Sequence, residues 1–277
     1  MSDIIYNKEM LVKYLKDMGI KSTDALLVHS SMKSIGEVEG GADTVVDALM
    51  EAVCDGMLML PTHTWAQMSE EYNTFDPAIE RACTGIIPNI FMKRPGVVRS
   101  LHPTHSMAVW GKTTVEVDGV MRTITADEYI EGEEFMTTPC APKGCWGRLL
   151  DIDAKILLLG VNHVKNTFIH AVGEMFDVPE RLTKEPVLFK TVMPDGSLKD
   201  TPVHRHYNRH TAHISESFVK LDEGYRVRGA AKNVKFGDAD CILCTAKGLY
   251  DVTRDVLSHE INCFIDREQI PREWWDK

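Results

Sequence analysis

The chain has 277 residues, of which 44% are hydrophobic, and a formal net charge of −10 at pH 7. This length suffices for one substantial hydrophobic core. The negative charge disfavours binding to a phosphate backbone, so we expect no nucleic-acid partner, and it suits a cationic amine. No stretch approaches the roughly 20 apolar residues of a membrane helix, and the first residues lack the pattern of a signal peptide. We therefore expect no membrane partner and a cytoplasmic location.

The hydrophobic pattern alternates between helical and extended periods along the chain. In chain order it predicts a helix over 7–18, a strand over 25–29, a helix over 42–53, and strands over 57–61, 106–110 and 155–161. A helix over 167–176 follows, then paired strands over 187–192 and 198–203, a helix over 212–221, strands over 225–227, 234–236 and 241–244, and a helix over 245–257. The pattern indicates one α/β domain over 1–277, with helices flanking a mixed sheet and antiparallel additions in the C-terminal half.

Polar residues follow three of the predicted strands at their carboxyl ends. These segments are His29-Ser-Ser, Pro61-Thr-His-Thr and Val161-Asn-His. Ligands of open α/β sheets bind beyond the carboxyl ends of the strands. The sequence therefore predicts a site where these three segments meet.

Two segments have residues suited to a phosphate or a pantetheine carbonyl. The loop from Ser30 to Gly36 contains hydroxyls and Lys33 but no Walker motif, which excludes a P-loop nucleotidase. The segment from Arg99 to Ser106 offers an arginine and serines before a strand. An ordinary capping loop and an ordinary turn remain the alternatives. Glu70 and Glu71 lie between these segments in the sequence and are acidic enough to meet an amine.

His170 is the best candidate for a general base. It lies one turn into the helix that follows the most apolar predicted strand. An imidazole with an ordinary pKa near ~6.5 suits proton removal around neutral pH. Thr167, three residues earlier, lies on the same helix face and can hydrogen-bond to a reacting carbonyl. A structural histidine is the alternative.

Four histidines occur between His204 and His213, and Glu216 follows them. Imidazole is a common zinc ligand, but the spacing matches no standard zinc motif, and Arg205 and Arg209 would oppose a cation. We therefore predict no metal, with a metal-dependent hydrolase as the rival function. Cys241-Ile-Leu-Cys244 lies in an apolar strand and is interpreted as core.

Read in order, six segments resemble the aminoglycoside 3-N-acetyltransferase family. They are Leu26 to Gly36, Val38 to Ala42, Phe75-Asp-Pro77, Arg99 to Ser106, Ile156 to Val161, and Asn166-Thr-Phe-Ile-His170. The resemblance implies a three-layer α/β/α fold, acetyl-CoA as the co-substrate, and direct transfer of the acetyl group to the 3-amino group of an aminoglycoside. It implies His170 as general base, with Thr167 or a nearby N–H stabilising the oxyanion and His29 as a second catalytic candidate. The residues implied for coenzyme binding are Ser30, Ser31, Met32, Lys33, Ser34, Arg99, Ser100, His102 and Ser106.

The chain departs from the family pattern at two places. The family has a glutamate three residues after the histidine, where this chain has Gly173, and Glu174 follows on the same helix face. The family commonly has carboxylates in the acceptor region, where this chain is rich in histidine. The residues implied for acceptor binding are Glu70, Glu71, His213 and Glu216. A non-antibiotic amine is therefore the alternative acceptor.

The segment from Arg226 to Ala231 also fits the pyrophosphate-loop formula of the GNAT acetyltransferases. That motif must open a helix, and here the pattern predicts a turn and a strand. We interpret the match as coincidence.

Overall fold

A computed structural model describes residues 4–207, 213–265 and 269–276 of the chain. The first strands are β1 (Ile5–Tyr6), β2 (Ala25–Ser30), β3 (Glu37–Val38), β4 (Met57–Pro61), β5 (Thr74–Phe75), β6 (Val98–Arg99) and β7 (Met107–Val117). They are followed by β8 (Val120–Thr125), β9 (Lys155–Leu159), β10 (Val187–Val192), β11 (Leu198–Val203), β12 (Ala231–Phe236) and β13 (Ala239–Thr245).

The α-helices are α1 (Lys8–Asp17), α2 (Ala42–Ala52), α3 (Ile86–Phe91), α4 (Ala126–Ile130), α5 (Thr167–Met175), α6 (Asp222–Val227) and α7 (Ala246–His259). Short 3₁₀ helices occur at Met32–Ser34, Glu133–Phe135, Gly147–Leu149, His163–Lys165, Ile214–Leu221 and Arg272–Trp274. Among the helices of the described residues, none has both the length and the apolar character needed to cross a membrane.

The main sheet has the order β12-β13-β9-β2-β4-β7-β6, and β8 pairs with β7 beyond this path. Strand β2 runs parallel to both of its neighbours, β9 and β4. The outer pairings are antiparallel, namely β13 with β9, β12 with β13, β7 with β4 and β6 with β7. The sheet is therefore mixed, and the antiparallel strands β12 and β13 come from the C-terminal half as predicted.

The two faces of the sheet are covered by different helices. On one face, Leu26 and Leu157 pack in a core with side chains of α1, α2 and α3. On the other face, Leu27 and Ile156 pack with side chains of α5, α6 and α7. Central strands covered on both sides are apolar throughout, and this explains the uninterrupted apolar run of β9. This arrangement is the predicted three-layer α/β/α sandwich.

The predicted elements and the structure differ most between residues 212 and 227. The strand predicted over 225–227 is wrong, because Asp222–Val227 forms α6, in which Arg226 Nε donates to Asp222 at 2.8 Å. Three residues are too few to distinguish a period of 2 from one of 3.6. The helix predicted over 212–221 is a 3₁₀ helix over Ile214–Leu221, and Ala212 lies outside the described residues.

Two interpretations of short motifs are confirmed. Cys241 packs in one core and Cys244 in the other, so their side chains lie on opposite faces of the sheet. The segment from Arg226 to Ala231 runs from the end of α6 to the start of β12 and opens no helix. The pyrophosphate-loop match is therefore fortuitous.

Candidate active site

The ends of four strands meet at one edge of the sheet. Strands β2, β4 and β9 run parallel, so their carboxyl ends lie side by side. Strand β7 is antiparallel to β4, with Met107 opposite Pro61, so its beginning lies at the same edge. Beyond the strands, Thr64 N donates to Thr104 O at 3.0 Å. This pairing brings His63, after β4, next to His105, before β7.

The chain turns sharply from β9 into α5. Gly160 adopts φ +66°, and a Cβ there would lie 1.8 Å from the Oγ of Ser34, so only glycine allows this approach. The side chain of Asn162 then accepts a hydrogen bond from Val164 N, and α5 begins at Thr167. Thr167 and His170 are three residues apart on this helix and both line the same cavity.

The strand ends, α5 and the segment after β11 enclose a cavity of about 610 Å³. This volume lies in the range of small-molecule sites. Its lining combines imidazoles, hydroxyls and aromatic rings, and includes His29, Ser30, His63, Trp65, Thr104, His105, Lys165, Thr167, His170, Arg205, His206, Tyr207, His213 and Glu216. A cavity therefore lies at the strand ends, where the sequence predicts a site.

Imidazole rings form a continuous cluster along one side of the cavity. The ring centroids of His63 and His105 are 4.5 Å apart, and those of His105 and His206 are 4.9 Å apart. His206 stacks on His170 with a centroid distance of 4.0 Å and an interplanar angle of 15°. The four rings therefore connect the end of β4 with helix α5.

Trp146 lies beneath this cluster and is fully buried. Its ring stacks on His29 at 6.1 Å and meets His63 edge-on at 5.2 Å between centroids. The indole Nε1 donates a hydrogen bond of 2.8 Å to His105 O. Trp146 therefore fixes the positions of three of the histidine-bearing segments.

Burial keeps four of the histidines at the cavity neutral. Loss of hydration lowers the pKa of His170 well below its ordinary value, and nearby imidazoles, His206 first, add to the effect. The same cause lowers the pKa of His63 and His105 well below the ordinary range. It lowers the pKa of His29 to about 3. These four imidazoles are therefore present at the cavity in their neutral form rather than as cations.

Glu174 lies beneath the cluster, one turn after His170 on α5. Its carboxylate accepts hydrogen bonds from the Thr138 hydroxyl at 2.5 Å and from Cys140 N at 3.0 Å. One of its oxygens lies 3.9 Å from the Nε2 of His206. Glu174, which shares a helix face with His170, thus directs its carboxylate at His206. Its role in catalysis stays a prediction.

Among the described residues, one group of three brings potential metal ligands within 4.8 Å of one another, namely Cys140, Glu174 and His206. Burial raises the pKa of the Cys140 thiol well above its ordinary value. A metal binds the thiolate rather than the thiol, and both Glu174 oxygens already accept hydrogen bonds. These features favour a hydrogen-bonded cluster over a metal centre. His210, part of the histidine segment considered for a metal, lies outside the described residues.

The residues expected to bind coenzyme fall into two groups. Ser30 lines the cavity, and Ser31 leads into the 3₁₀ helix Met32–Ser34, where Lys33 is exposed. Ser100, His102 and Ser106 have no exposed surface. Ser100 Oγ accepts from Met107 N, His102 Nδ1 accepts from Thr104 N, and Ser106 Oγ donates to Thr62 O. Side chains so enclosed do not reach a ligand, so we assign these three to the strand junction instead.

Arg99 also belongs to this junction. Its guanidinium donates hydrogen bonds to the carbonyls of Pro77, Glu80 and Thr62, and its Nε donates to Ser106 Oγ at 3.1 Å. The ring of Phe75 lies 5.0 Å below it. Arg99, which was expected to bind a phosphate, therefore links three loops through hydrogen bonds to their carbonyls.

The residues predicted to bind the acceptor also fall into two groups, inside and outside the cavity lining. His213 and Glu216 line the cavity. Glu70 and Glu71 are exposed in the loop after β4 and are absent from the described lining. Within that lining the charged side chains are Lys165, Arg205 and Glu216, which is two cations against one carboxylate.

The sequence does not single out four further residues of the site, namely His63, His105, His206 and Trp146. Two signals point toward them, since Pro61-Thr-His63-Thr is a polar strand end and His206 belongs to the histidine-rich segment. Nothing in the local pattern of Trp146 distinguishes it from core tryptophan, because its role arises from contacts with residues 41 to 117 positions away.

The chain is similar to known proteins over most of its length. The model of the family described as aminoglycoside 3-N-acetyltransferase matches residues 27–258. Aminoglycoside N(3)-acetyltransferase IV of Salmonella sp is 28% identical over 237 residues, which cover 84% of this chain and 80% of that protein.

Solved structures show the same fold. A variant of aminoglycoside acetyltransferase AAC(3)-IVa in complex with apramycin has a TM-score of 0.75 at 24% identity, covering 100% of this chain and 99% of that chain. AAC-IIIb in a binary complex with CoASH has a TM-score of 0.76 at 18% identity, covering 92% of this chain and 97% of that one. At these identities the likeness establishes the fold alone.

The contacts of Arg99 predict a structural rather than a coenzyme-binding effect of its removal. We expect Arg99→Ala to lower the free energy of unfolding by about 2–4 kcal/mol, because buried carbonyls lose their donors. The KM for acetyl-CoA should stay unchanged in the folded fraction. Urea unfolding and steady-state kinetics measure the two quantities. A large rise in this KM with unaltered stability would restore Arg99 to the coenzyme site.

The buried His29 predicts acid sensitivity of the fold. Its pKa is about 3 in the folded chain and near the ordinary 6.5 when unfolded, so the unfolded state binds more protons between these values. Stability from this group is complete above pH 6.5 and is lost as the pH falls, at about 1.4 kcal/mol per pH unit.

Urea unfolding at pH 7, 6 and 5 tests this expectation. His29→Gln should reduce the dependence of the unfolding free energy on pH by this amount. An identical pH dependence in the wild type and His29→Gln would contradict the argument.

Proposed function

The chain belongs to the aminoglycoside 3-N-acetyltransferase family, and on that premise we propose that it transfers acetyl from acetyl-CoA to the 3-amino group of an aminoglycoside. The transfer is direct, with His170 as general base. The observation that carries this proposal is the position of His170, one turn into α5, with Thr167 beside it in the cavity lining. Because its pKa is lowered, the imidazole is neutral at neutral pH and has a ring nitrogen with a free lone pair.

The reaction has a simple balance of bonds and protons. The acceptor nitrogen attacks the thioester carbonyl, so a C–N bond forms and, as the tetrahedral intermediate collapses, the C–S bond breaks. The nitrogen's proton passes to His170 and from there to the departing thiolate, which leaves as the free thiol. A positioned base of this kind contributes about 10²- to 10⁴-fold to the rate.

Other lining residues have supporting roles in this proposal. Thr167, at the first position of α5, lies where its hydroxyl or a helix N–H can stabilise the oxyanion. His29 and Ser30 are the last two residues of β2 and line the cavity. There they would contact the pantetheine arm of the coenzyme, which bears the thioester. Lys165 and Arg205 supply positive charge for the coenzyme phosphates. Lys33, exposed in the turn after β2, would extend this surface.

The acceptor side of the cavity favours a second candidate for the substrate. A polycationic antibiotic calls for carboxylates, and within the described lining only Glu216 supplies one. Trp65 and Tyr207 add exposed aromatic faces at the same cavity. A non-antibiotic amine with a single positive charge is therefore the alternative acceptor for the same chemistry.

The catalytic unit in this proposal is one domain over residues 1–277, since both cores share the main sheet. We place the enzyme in the cytoplasm, where acetyl-CoA is available to it.

An acetyl-CoA turnover assay against a panel of aminoglycosides tests the acceptor. Release of free thiol should rise with at least one antibiotic that has a free 3-amino group, and mass spectrometry should locate one added acetyl group there. The panel includes simple aromatic and aliphatic monoamines as the alternative class. Turnover of monoamines alone would remove the antibiotic substrate and retain the transferase.

Replacement of His170 tests the base. His170→Ala should reduce kcat by about 10²- to 10⁴-fold while the affinity for CoA stays within about twofold, because the ring takes the proton and does not hold the coenzyme. His259→Ala, at an exposed ring outside the cavity lining, is the matched control. Full activity of the His170 variant would exclude it as the base.

A further inference from the structure

His206 lies between the proposed base and the nearest carboxylate. Its ring stacks on His170 with centroids 4.0 Å apart and planes 15° from parallel. Its Nε2 is buried, has no hydrogen-bond partner among the described residues, and lies 3.9 Å from a Glu174 oxygen. The three groups therefore lie in a row, in the order Glu174 carboxylate, His206 ring and His170 ring.

Glu174 is held rigidly in this arrangement. Its side chain is 2% exposed, and its two oxygens accept from the Thr138 hydroxyl and from Cys140 N. These two donors hold the carboxylate in a single orientation, with one oxygen toward His206. Electrostatic interactions of such an enclosed group act strongly on neighbours a few ångströms away.

The segment that bears His206 is also fixed by backbone pairing. His206 forms an antiparallel bridge with Leu182, and Tyr207 N donates to Arg181 O at 2.9 Å. Thr183 N donates to Arg205 O at 2.8 Å on the other side. His206 thus belongs to a short two-stranded contact, which sets the position of its ring over His170.

We propose that His206 is a positioning residue, which orients His170 and transmits to it the charge of Glu174 during acetyl transfer. This inference rests on the proposed function, in which His170 accepts the proton of the acceptor amine. Stacked rings share no hydrogen bond, so His206 relays no proton. It acts by fixing the plane of His170, and the adjacent Glu174 carboxylate offsets the unfavourable effect of a second imidazole on the developing imidazolium.

This arrangement answers an electrostatic difficulty at the site. His170 is surrounded by imidazoles, and burial disfavours its charged form, so protonation in the transition state carries a high cost. Glu174 is a buried carboxylate beside this cluster, 3.9 Å from the Nε2 of His206, and it also acts on His102. The stacked ring of His206 links this carboxylate to the base.

Two substitutions separate stacking from the electrostatic link. His206→Phe retains an aromatic ring over His170 but removes the nitrogen that faces Glu174, and Glu174→Gln removes the charge. Each should lower kcat by roughly tenfold to a hundredfold, less than the full contribution of a general base, with KM for acetyl-CoA nearly unaltered. The double variant should lose no more than the worse single variant, since both changes remove one interaction.

The tautomer of His206 provides a readout that needs no turnover. In the wild type at pH 7, ¹⁵N NMR should show His206 mainly with its proton on Nε2, facing the carboxylate. Glu174→Gln should shift this ratio toward a mixture, because a neutral amide no longer favours that N–H. An unaltered ratio would overturn the proposed link.

The controls distinguish this inference from failure of the fold or of the base. His259→Phe changes another stacked histidine, which lies 5.3 Å from Trp274 between centroids, and should leave kcat unaltered. Thermal unfolding confirms that each variant is folded. Full kcat in His206→Phe, or additive losses in the double variant, would refute the role of His206 even if His170→Ala is inactive. An active His170→Ala would instead refute the proposed base.

Discussion

Exclusion of water from a group of imidazoles is the physical constraint on which this structure depends. Four strand ends meet at one edge of the sheet and bring His29, His63 and His105 into an interior where a charged imidazole is unfavourable. The fold is therefore compatible with these side chains only while they are neutral. That same condition provides a neutral His170 at the cavity, so the requirements of folding and of base chemistry coincide.

Much of the architecture could be predicted from periodicity. The apolar run of β9 required cover on both faces, and the structure provides it with two separate cores. The position of the cavity could also be predicted, because the carboxyl ends of parallel strands must lie together wherever the strands pair. Thr167 and His170 line the cavity for the same local reason, since residues three apart on a helix share a face.

The hydrogen-bond and charge partners of individual side chains could not be predicted from periodicity. Arg99 has the residue type and loop position of a phosphate ligand, yet its donors go to carbonyls at Pro77, Glu80 and Thr62. Glu174 lies on the same helix face as His170, but tertiary contacts with Thr138 and Cys140 direct its carboxylate at His206. Such choices depend on residues distant in the sequence, and a local pattern contains no information about them.

Trp146 restricts which of the histidines at the cavity can act as a base. The indole packs against His29 and His63, and the Nε2 atoms of both rings are shielded from solvent. Imidazoles enclosed in this way cannot activate a water molecule in the cavity. Base chemistry at this site therefore falls to His170, whose side chain remains partly exposed in the cavity lining.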